Sequence, residues 1–364
     1  MKPDLLTLWQ AGVDAARGDV AVERALQTGS VQPPDLIIAV GKAAVAMARP
    51  ACAMWPECPA LIVTKYGHGA GAPPRARVIE AAHPVPDAAS LQAGAALLDA
   101  IGACHAGAHV LMLVSGGASS LCEALPSDMT LDGLQARTQA QLASGAAIGA
   151  MNAQRRAVSL IKGGKLFAGF GGARVTTLAL SDVEGDGLND IGSGIGAAPS
   201  DAGFDFEARI VASNAIAREA VAAASPVPVI ENAEALYDNV ATLAPSIGRM
   251  LRDGAPGLYV FGGEPVVNLP DNPGQGGRNM ALGLCLAREI AGMDNMRVLV
   301  AGTDGTDGPT DAAGGLVDGT TWDASGQDAL DAADAYPWLD ARGALIKTGP
   351  TGTNVMDLVI AHKT

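Results

Sequence analysis

The run IIAVGKAAVAMA, residues 37–48, sets the reading of the whole chain. Apolar residues suited to a buried strand stop at Gly41-Lys42, and an alanine-rich segment of helical character follows. A strand that breaks into glycine and resumes as a helix is the repeating unit of an α/β protein. VLMLVSGGASSL, residues 110–121, repeats the pattern, and further apolar runs stand at 60–64, 174–180, 209–212, 257–261 and 297–301. Val-, Ile- and Leu-rich strands separated by Ala- and Leu-rich stretches of helical length predict a parallel sheet covered by helices on both faces. Residues 222–256 carry proline-containing breaks around a helical stretch, and a new strand pattern starts at 257. This places the boundary in a linker at 233–256, between an N-terminal domain of residues 1–232 and a smaller C-terminal α/β domain of residues 257–364.

With 364 residues and 49% hydrophobic content, the chain can bury two cores. Its start, MKPDLLTLWQ, lacks the apolar core of a signal peptide, and no run approaches the roughly 18 apolar residues of a membrane span, so a soluble, cytoplasmic protein is expected. Five cysteines without a CxxC pair suggest neither a zinc site nor a disulfide framework. The net charge of −14 argues against nucleic acid and anionic membranes as partners, and any phosphate must be bound locally. Lysine is scarce, with seven in the chain, so a lysine inside a glycine loop is a pointed choice.

Two strand-end loops fit such local binding. Gly41-Lys42 would set an ammonium at a helix N-terminus, where backbone N–H groups favour anions. Ser115, Gly116, Gly117, Ser119 and Ser120 form a second cradle without lysine; small residues at a strand-to-helix turn are equally what the turn itself requires. Neither GxxxxGK[ST] nor GxGxxG occurs, which excludes a P-loop NTPase and disfavours a dinucleotide-dependent reductase. In MNAQRRAVSLIKGGKL, 151–166, helical spacing gathers Asn152, Arg155, Arg156, Ser159 and Lys162 on one cationic face, followed by Gly163. The face suits a polyanion or, alternatively, solvent. Two acidic loops complete the set. LALSDVEGDGLNDIGSG, 178–194, offers Asp182 and Asp186 as hard oxygen ligands for Mg²⁺, and GTDGTDGPTDAAGG, 302–315, offers Asp304 and Asp307, with Asp311 placed as a helix N-cap. Cationic glycine loops beside acidic loops are the parts of phosphoryl transfer.

In this order the motifs resemble the glycerate 2-kinase family with its MOFRL domain. The resemblance spans nearly the whole chain through VGKAA (40–44), HPVPD (83–87), SGGASSL (115–121), SGAAIGAMNAQRR with KGGKL (144–166), LSDVEGD (180–186), GGEP and GQGGRN (262–265, 274–279), GTDGTDGPTDAAG (302–314) and TGPTGTNVMDL (348–358). It implies two α/β domains, the first a Rossmann-like parallel sheet, with the active site in the cleft between them. It also implies use of ATP and Mg²⁺ to phosphorylate D-glycerate to 2-phosphoglycerate, and is compatible with a homo-oligomer. By the same resemblance Lys42 contacts the transferring phosphate, Arg278 clamps the glycerate carboxylate or the transition-state charge, and Asp182 serves as base or, with Asp186, as metal ligand. Asn279, Asp304, Asp307, Thr353 and Asn354 would line the acceptor. His83, before a proline, can equally order a turn. The chain departs from the family pattern at Ala150, Met280 and Ala281, where polar or acidic residues are usual, and at SGIG, 193–196, in place of SGPT. These changes leave open a kinase of another 2-hydroxy acid, such as tartronate or a tetronate, or a binder without activity.

Overall fold

The computed structural model describes residues 3–144 and 148–364. The stretch 145–147 of the quoted SGAAIGAMNAQRR motif lies outside the described residues, as does the side chain at Ala150. Among the described residues no helix is long and apolar enough to cross a membrane.

The chain divides into two compact units, Arg17–Ser213 and Met1–Ala16 with Asn214–Thr364. It opens with α1 (Leu5–Ala16), which belongs to the second unit, and then enters the first through α2 (Gly18–Gln27). There follow β1 (Leu36–Val40), α3 (Ala44–Met54), β2 (Ala60–Lys65), β3 (Arg77–Ala81), α4 (Ala88–Gly102), β4 (His109–Val114), the short α5 (Ala118–Leu121), α6 (Leu131–Ser144), α7 (Ile148–Val158), β5 (Arg174–Leu180) and β6 (Asp205–Ala212). The six strands form one parallel sheet in the order β3-β2-β1-β4-β5-β6. This is the doubly wound order whose direction reverses between β1 and β4, and in such sheets ligands lie outside the strand carboxyl ends at that point. Every residue of β1 is buried. Leu36, Ile38 and Val40 join the core that includes Ala93, Ala96 and Leu97 of α4. Ile37 and Ala39 are as deeply buried on the opposite face, as strand alternation requires of a sheet covered twice. Asp87 starts α4 with a capping box: it accepts the Ser90 N–H, and the Ser90 hydroxyl accepts the Asp87 N–H.

The second unit continues with α8 (Asn214–Ala224), β7 (Val229–Glu234), α9 (Val240–Asp253), β8 (Gly257–Gly263), α10 (Arg278–Glu289), β9 (Met296–Gly302), β10 (Gly314–Asp318), α11 (Ser325–Asp331), α12 (Ala335–Asp340), β11 (Leu345–Ile346) and β12 (Asp357–Lys363). Its sheet runs β11-β10-β9-β12-β8-β7. Unlike the first sheet this one is mixed: β12 is antiparallel to both neighbours, and only the β7–β8 pair is parallel. One face packs on α9 and α10 through Val240, Leu243, Ile247, Leu251, Leu282 and Leu286. On the other, α1 packs on α8 and β12, so close to α8 that a side chain at Gly12 would strike Val221 and the Ala217 carbonyl.

The compact units also differ from the expected boundary. Residues 233–256 hold the end of β7 and all of α9. The α9 positions 240, 243, 244, 247, 248 and 251 are buried at helical spacing, so this segment is core, not linker. Pro245, which reads as a break, sits inside the helix.

Candidate functional site

In the parallel unit, the loops after β1, β4 and β5 meet at the carboxyl ends of their strands. The first two are clasped together: the Lys42 N–H donates to the Gly116 carbonyl at 2.9 Å and the Ala43 N–H to the Ser115 hydroxyl at 3.1 Å. The Gly41 N–H goes to Val63 O and the Ala44 N–H to Gly41 O. The backbone donors expected to receive an anion at Gly41-Lys42 are therefore spent on the protein, and the Ser115 oxygen is an acceptor within the clasp. The Lys42 side chain differs: among the described residues nothing lies within hydrogen-bond or ion-pair distance of its ammonium. The Gly116 and Gly117 N–H groups likewise donate to no described residue.

Two close approaches fix this loop as glycine. A Cβ on Gly116 would stand 1.8 Å from an Asp182 carboxylate oxygen, so the end of β5 presses its acid directly onto the loop backbone. Gly117 has φ 84° and shows its bare Cα to Lys42 and His83, whose Cγ and Cδ2 would lie 3.1 and 3.2 Å from an added Cβ. Lys42, Asp182, Gly116 and Gly117 are thus brought together. Arg155 joins them electrostatically. Burial, followed by the charges of Lys42, Lys65, Arg155 and His68, pushes the His83 imidazole down to about 4. Burial also lowers the Arg155 guanidinium from its ordinary value. His83 and Lys65 are the residues that sequence reasoning missed. HPVPD looked like a turn, and Lys65 is an unremarked residue at the end of β2.

Other expected phosphate ligands are engaged elsewhere. Lys162 is only 1% exposed and forms an ion pair with Glu123, itself 2% exposed and also bonded by the Ser159 hydroxyl. The Gly163 N–H is taken by the Ser193 carbonyl, and the Ser120 hydroxyl donates back to the Gly117 carbonyl. Arg156 binds the Asn189 carbonyl and Asp190. The anticipated cationic stripe is dismantled because the segment leaves helical geometry after Val158, which turns Ser159 and Lys162 inward. Removing one member of a buried pair strands the other charge. Lys162→Met is therefore expected to cost about 3–5 kcal/mol in urea unfolding, and a paired apolar replacement with Glu123→Leu to recover most of it.

Asp186, at φ 53°, has a buried Oδ1 with no hydrogen-bond partner among the described residues. No group of three or more His, Cys, Asp or Glu side chains converges as a metal site among them. Mg²⁺ commonly asks the protein for only one or two carboxylates, substrate phosphates and water supplying the rest, so an orphaned Asp186 oxygen in the same loop as Asp182 fits that donor set.

In the mixed-sheet unit, Arg278 opens α10. Its Nε donates to Asp357 at 2.6 Å and its Nη1 to Glu264 at 2.6 Å, while Asn279 donates to Asp357 at 2.9 Å. Burial opposes the Arg278 charge, yet Asp357 and Glu264 raise its pKa above the ordinary value. Asp357 and Glu264 lay within motifs quoted above but were not singled out; an acid opening a central strand carries no periodic signal.

Asp307 caps α10, accepting the Met280 N–H at 2.8 Å. Burial pushes its carboxyl up to about 6 against these backbone bonds, and the Asp357 charge adds to the rise. The folded-state value lies above the unfolded one. The contribution to stability is therefore fully present below about 3.8 and is lost as pH rises through about 6, a change on the order of 3 kcal/mol. The wild type is expected to lose stability relative to Asp307→Asn between about pH 4 and about pH 7; equal pH profiles of unfolding for the two proteins would contradict this.

Asp304 accepts the Thr306 N–H and hydroxyl in a local turn. Thr353 donates its hydroxyl to the Ala16 carbonyl at 2.6 Å, and Asn354 accepts the Met356 N–H. Asp311 caps no helix. It is exposed, bonded to Tyr336 and Lys347, and the chain proceeds from it into β10.

Comparison with known proteins matches residues 4–227 to DUF4147, a domain of unknown function, and residues 257–357 to the MOFRL family. A D-glycerate 2-kinase of Thermotoga maritima is 35% identical over 89% of this chain and 89% of its own length. A protein of Agrobacterium vitis named as a hydroxypyruvate reductase is also 35% identical, over 89% of this chain and 86% of its own. The crystal structure of glycerate kinase (EC 2.7.1.31) from Thermotoga maritima superposes with a TM-score of 0.89 at 31% identity, covering 99% of this chain and 98% of that one.

Proposed function

The chain belongs to the glycerate kinase family, and from that premise we propose that it transfers the γ-phosphoryl group of ATP to the 2-hydroxyl of D-glycerate. The observation that carries the reading is the set of uncommitted donors at the strand-end loop. The Gly116 and Gly117 N–H groups and the Lys42 ammonium have no partner among the described residues, and the Lys42 side chain lies against Gly117, in a protein of net charge −14. Arg155 and Lys65 add positive charge around it. Such donors compensate the charge of a transferring phosphoryl group, which is most of what this chemistry asks of a protein.

In this reading the glycerate oxygen forms a bond to phosphorus as the bond to the ADP oxygen breaks, and the hydroxyl proton passes to a carboxylate. Asp182, against Gly116, is assigned to that proton or, with Asp186, to Mg²⁺. The metal, when bound, would neutralise phosphate charge. Arg278 is assigned to the acceptor carboxylate, with Asn279 beside it. The reductase reading has no dinucleotide fingerprint to support it, although the sheet order alone would suit one. ADP release from ATP and Mg²⁺ with D-glycerate, L-glycerate, tartronate and hydroxypyruvate as parallel acceptors tests the reading. ADP release that depends on D-glycerate supports it. Release with tartronate alone would move the assignment to another 2-hydroxy acid, and NADH oxidation with hydroxypyruvate would replace it.

A further inference from the structure

Ser193 sits at a junction that the functional reading does not use. It is completely buried, and it adopts φ 57° between Gly192 and Gly194 in the loop that follows β5. Left-handed backbone at a non-glycine residue is costly and persists where surrounding contacts impose it. Here they do: the Gly163 N–H holds the Ser193 carbonyl at 3.0 Å and the Gly164 N–H holds the Gly194 carbonyl at 2.9 Å.

The hydroxyl of Ser193 lies 2.8 Å from the Ser119 hydroxyl and 2.9 Å from Asn152 Oδ1. The direction of these bonds follows from the far end of the chain. Asn152 Nδ2 faces the Asp190 carbonyl at 3.3 Å and an Asp190 carboxylate oxygen at 3.5 Å. Both are acceptors, so the amide nitrogen must point there and the amide oxygen toward Ser193. Ser193 must then donate to Asn152, and Ser119 must donate to Ser193.

We propose that Ser193 is a positioning residue, the fixed link of a one-way hydrogen-bond chain from Ser119 through Ser193 to Asn152 that holds the Gly116-Gly117 loop in its phosphate-binding shape. This inference rests on the kinase reading of that loop. Its consequence for Ser119 is specific. The proton of Ser119 is committed to Ser193, so this serine offers a phosphate oxygen only lone pairs, and it supports the loop instead of binding the ligand. Phosphate contacts are left to the two glycine N–H groups and to cations. The donated hydroxyl of Ser193 also explains why a buried polar residue occupies this turn: its hydrogen bonds tie the β4 loop, the β5 loop and α7 together.

A double-mutant cycle with Ser119→Ala and Ser193→Ala tests the chain, read by steady-state kinetics and by calorimetry with a non-hydrolysable ATP analogue. If Ser119 acts only through Ser193, each single variant loses about 10-fold in kcat/KM for ATP, from a displaced loop, and the double variant is no worse than Ser193→Ala. Ser119→Thr, which keeps the hydroxyl, recovers most of the loss, and KM for glycerate stays within about twofold in every variant. Losses that multiply in the double variant would mean that Ser119 contacts phosphate directly, and would overturn the proposal. Should Ser193→Ala not fold, Asn152→Ala takes its place in the cycle, since it removes the acceptor that sets the direction. A wild-type protein that neither binds the analogue nor releases ADP overturns the kinase reading and this inference with it. An active wild type with multiplicative losses overturns the inference alone.

Discussion

Lys42→Ala is expected to lower kcat for glycerate phosphorylation by about 10²–10³-fold, the usual loss when one donor to a transition-state charge is removed. The reason to expect a catalytic and not a structural effect is the isolation of the ammonium. Among the described residues no acceptor satisfies it, while the Lys42 backbone N–H is already fixed on the Gly116 carbonyl. Truncating the side chain therefore leaves the clasp between the β1 and β4 loops intact, and the stability change should stay within about 0.5 kcal/mol. Parallel measurement of turnover and thermal unfolding separates the two. Normal turnover in the variant would remove Lys42 from the phosphate site, and a large fall in Tm would show that it braces the fold.

Arg278→Ala carries the second large effect, and its form is different. The guanidinium is the ionic partner of Asp357, which is 2% exposed, and also bonds Glu264. Its loss leaves a buried carboxylate unpaired, for a destabilisation of about 3–5 kcal/mol that accompanies any loss of turnover. Chemical denaturation measures the first effect. The double variant Arg278→Ala/Asp357→Asn separates the second, because it removes the stranded charge. Recovered stability without recovered activity assigns Arg278 to the acceptor. Recovery of both would make the arginine a structural counter-ion and nothing more.

Sequence patterns exposed the parallel unit well because its central strands β1 and β4 are buried on both faces. LIIAV and HVLMLV are nearly unbroken apolar runs that lead into Gly41 and Ser115-Gly116 and then into helices. The mixed sheet was less legible. Its central strand β12 begins with Asp357, an acid that strand patterns disfavour, and its pairing joins segments far apart in sequence. The boundary was missed for a related reason. Pro245 and nearby prolines imitate a linker, although the spacing of Val240, Leu243, Ile247 and Leu251 is already that of a buried helix face.

That Lys42, Gly116, Gly117 and Asp182 lie close together was readable, because strand-end glycines and isolated charges mark close approach. Lys162 was misread, since helical spacing assumes that the helix continues, and the chain turns at Ser159 to bury the lysine on Glu123. Ser119 shows the limit more sharply. A serine in a glycine loop looks like a phosphate donor, and only the orientation of Asn152, 33 residues away in sequence, reveals where its proton goes.

The most direct test of the central claim is to incubate the purified protein with ATP, Mg²⁺ and D-glycerate and to identify the product by phosphorus NMR. Phosphoryl transfer predicts 2-phosphoglycerate formed in equal amount with ADP, and dependent on both substrates. No phosphorylated glycerate, together with oxidation of NADH in the presence of hydroxypyruvate, would contradict it.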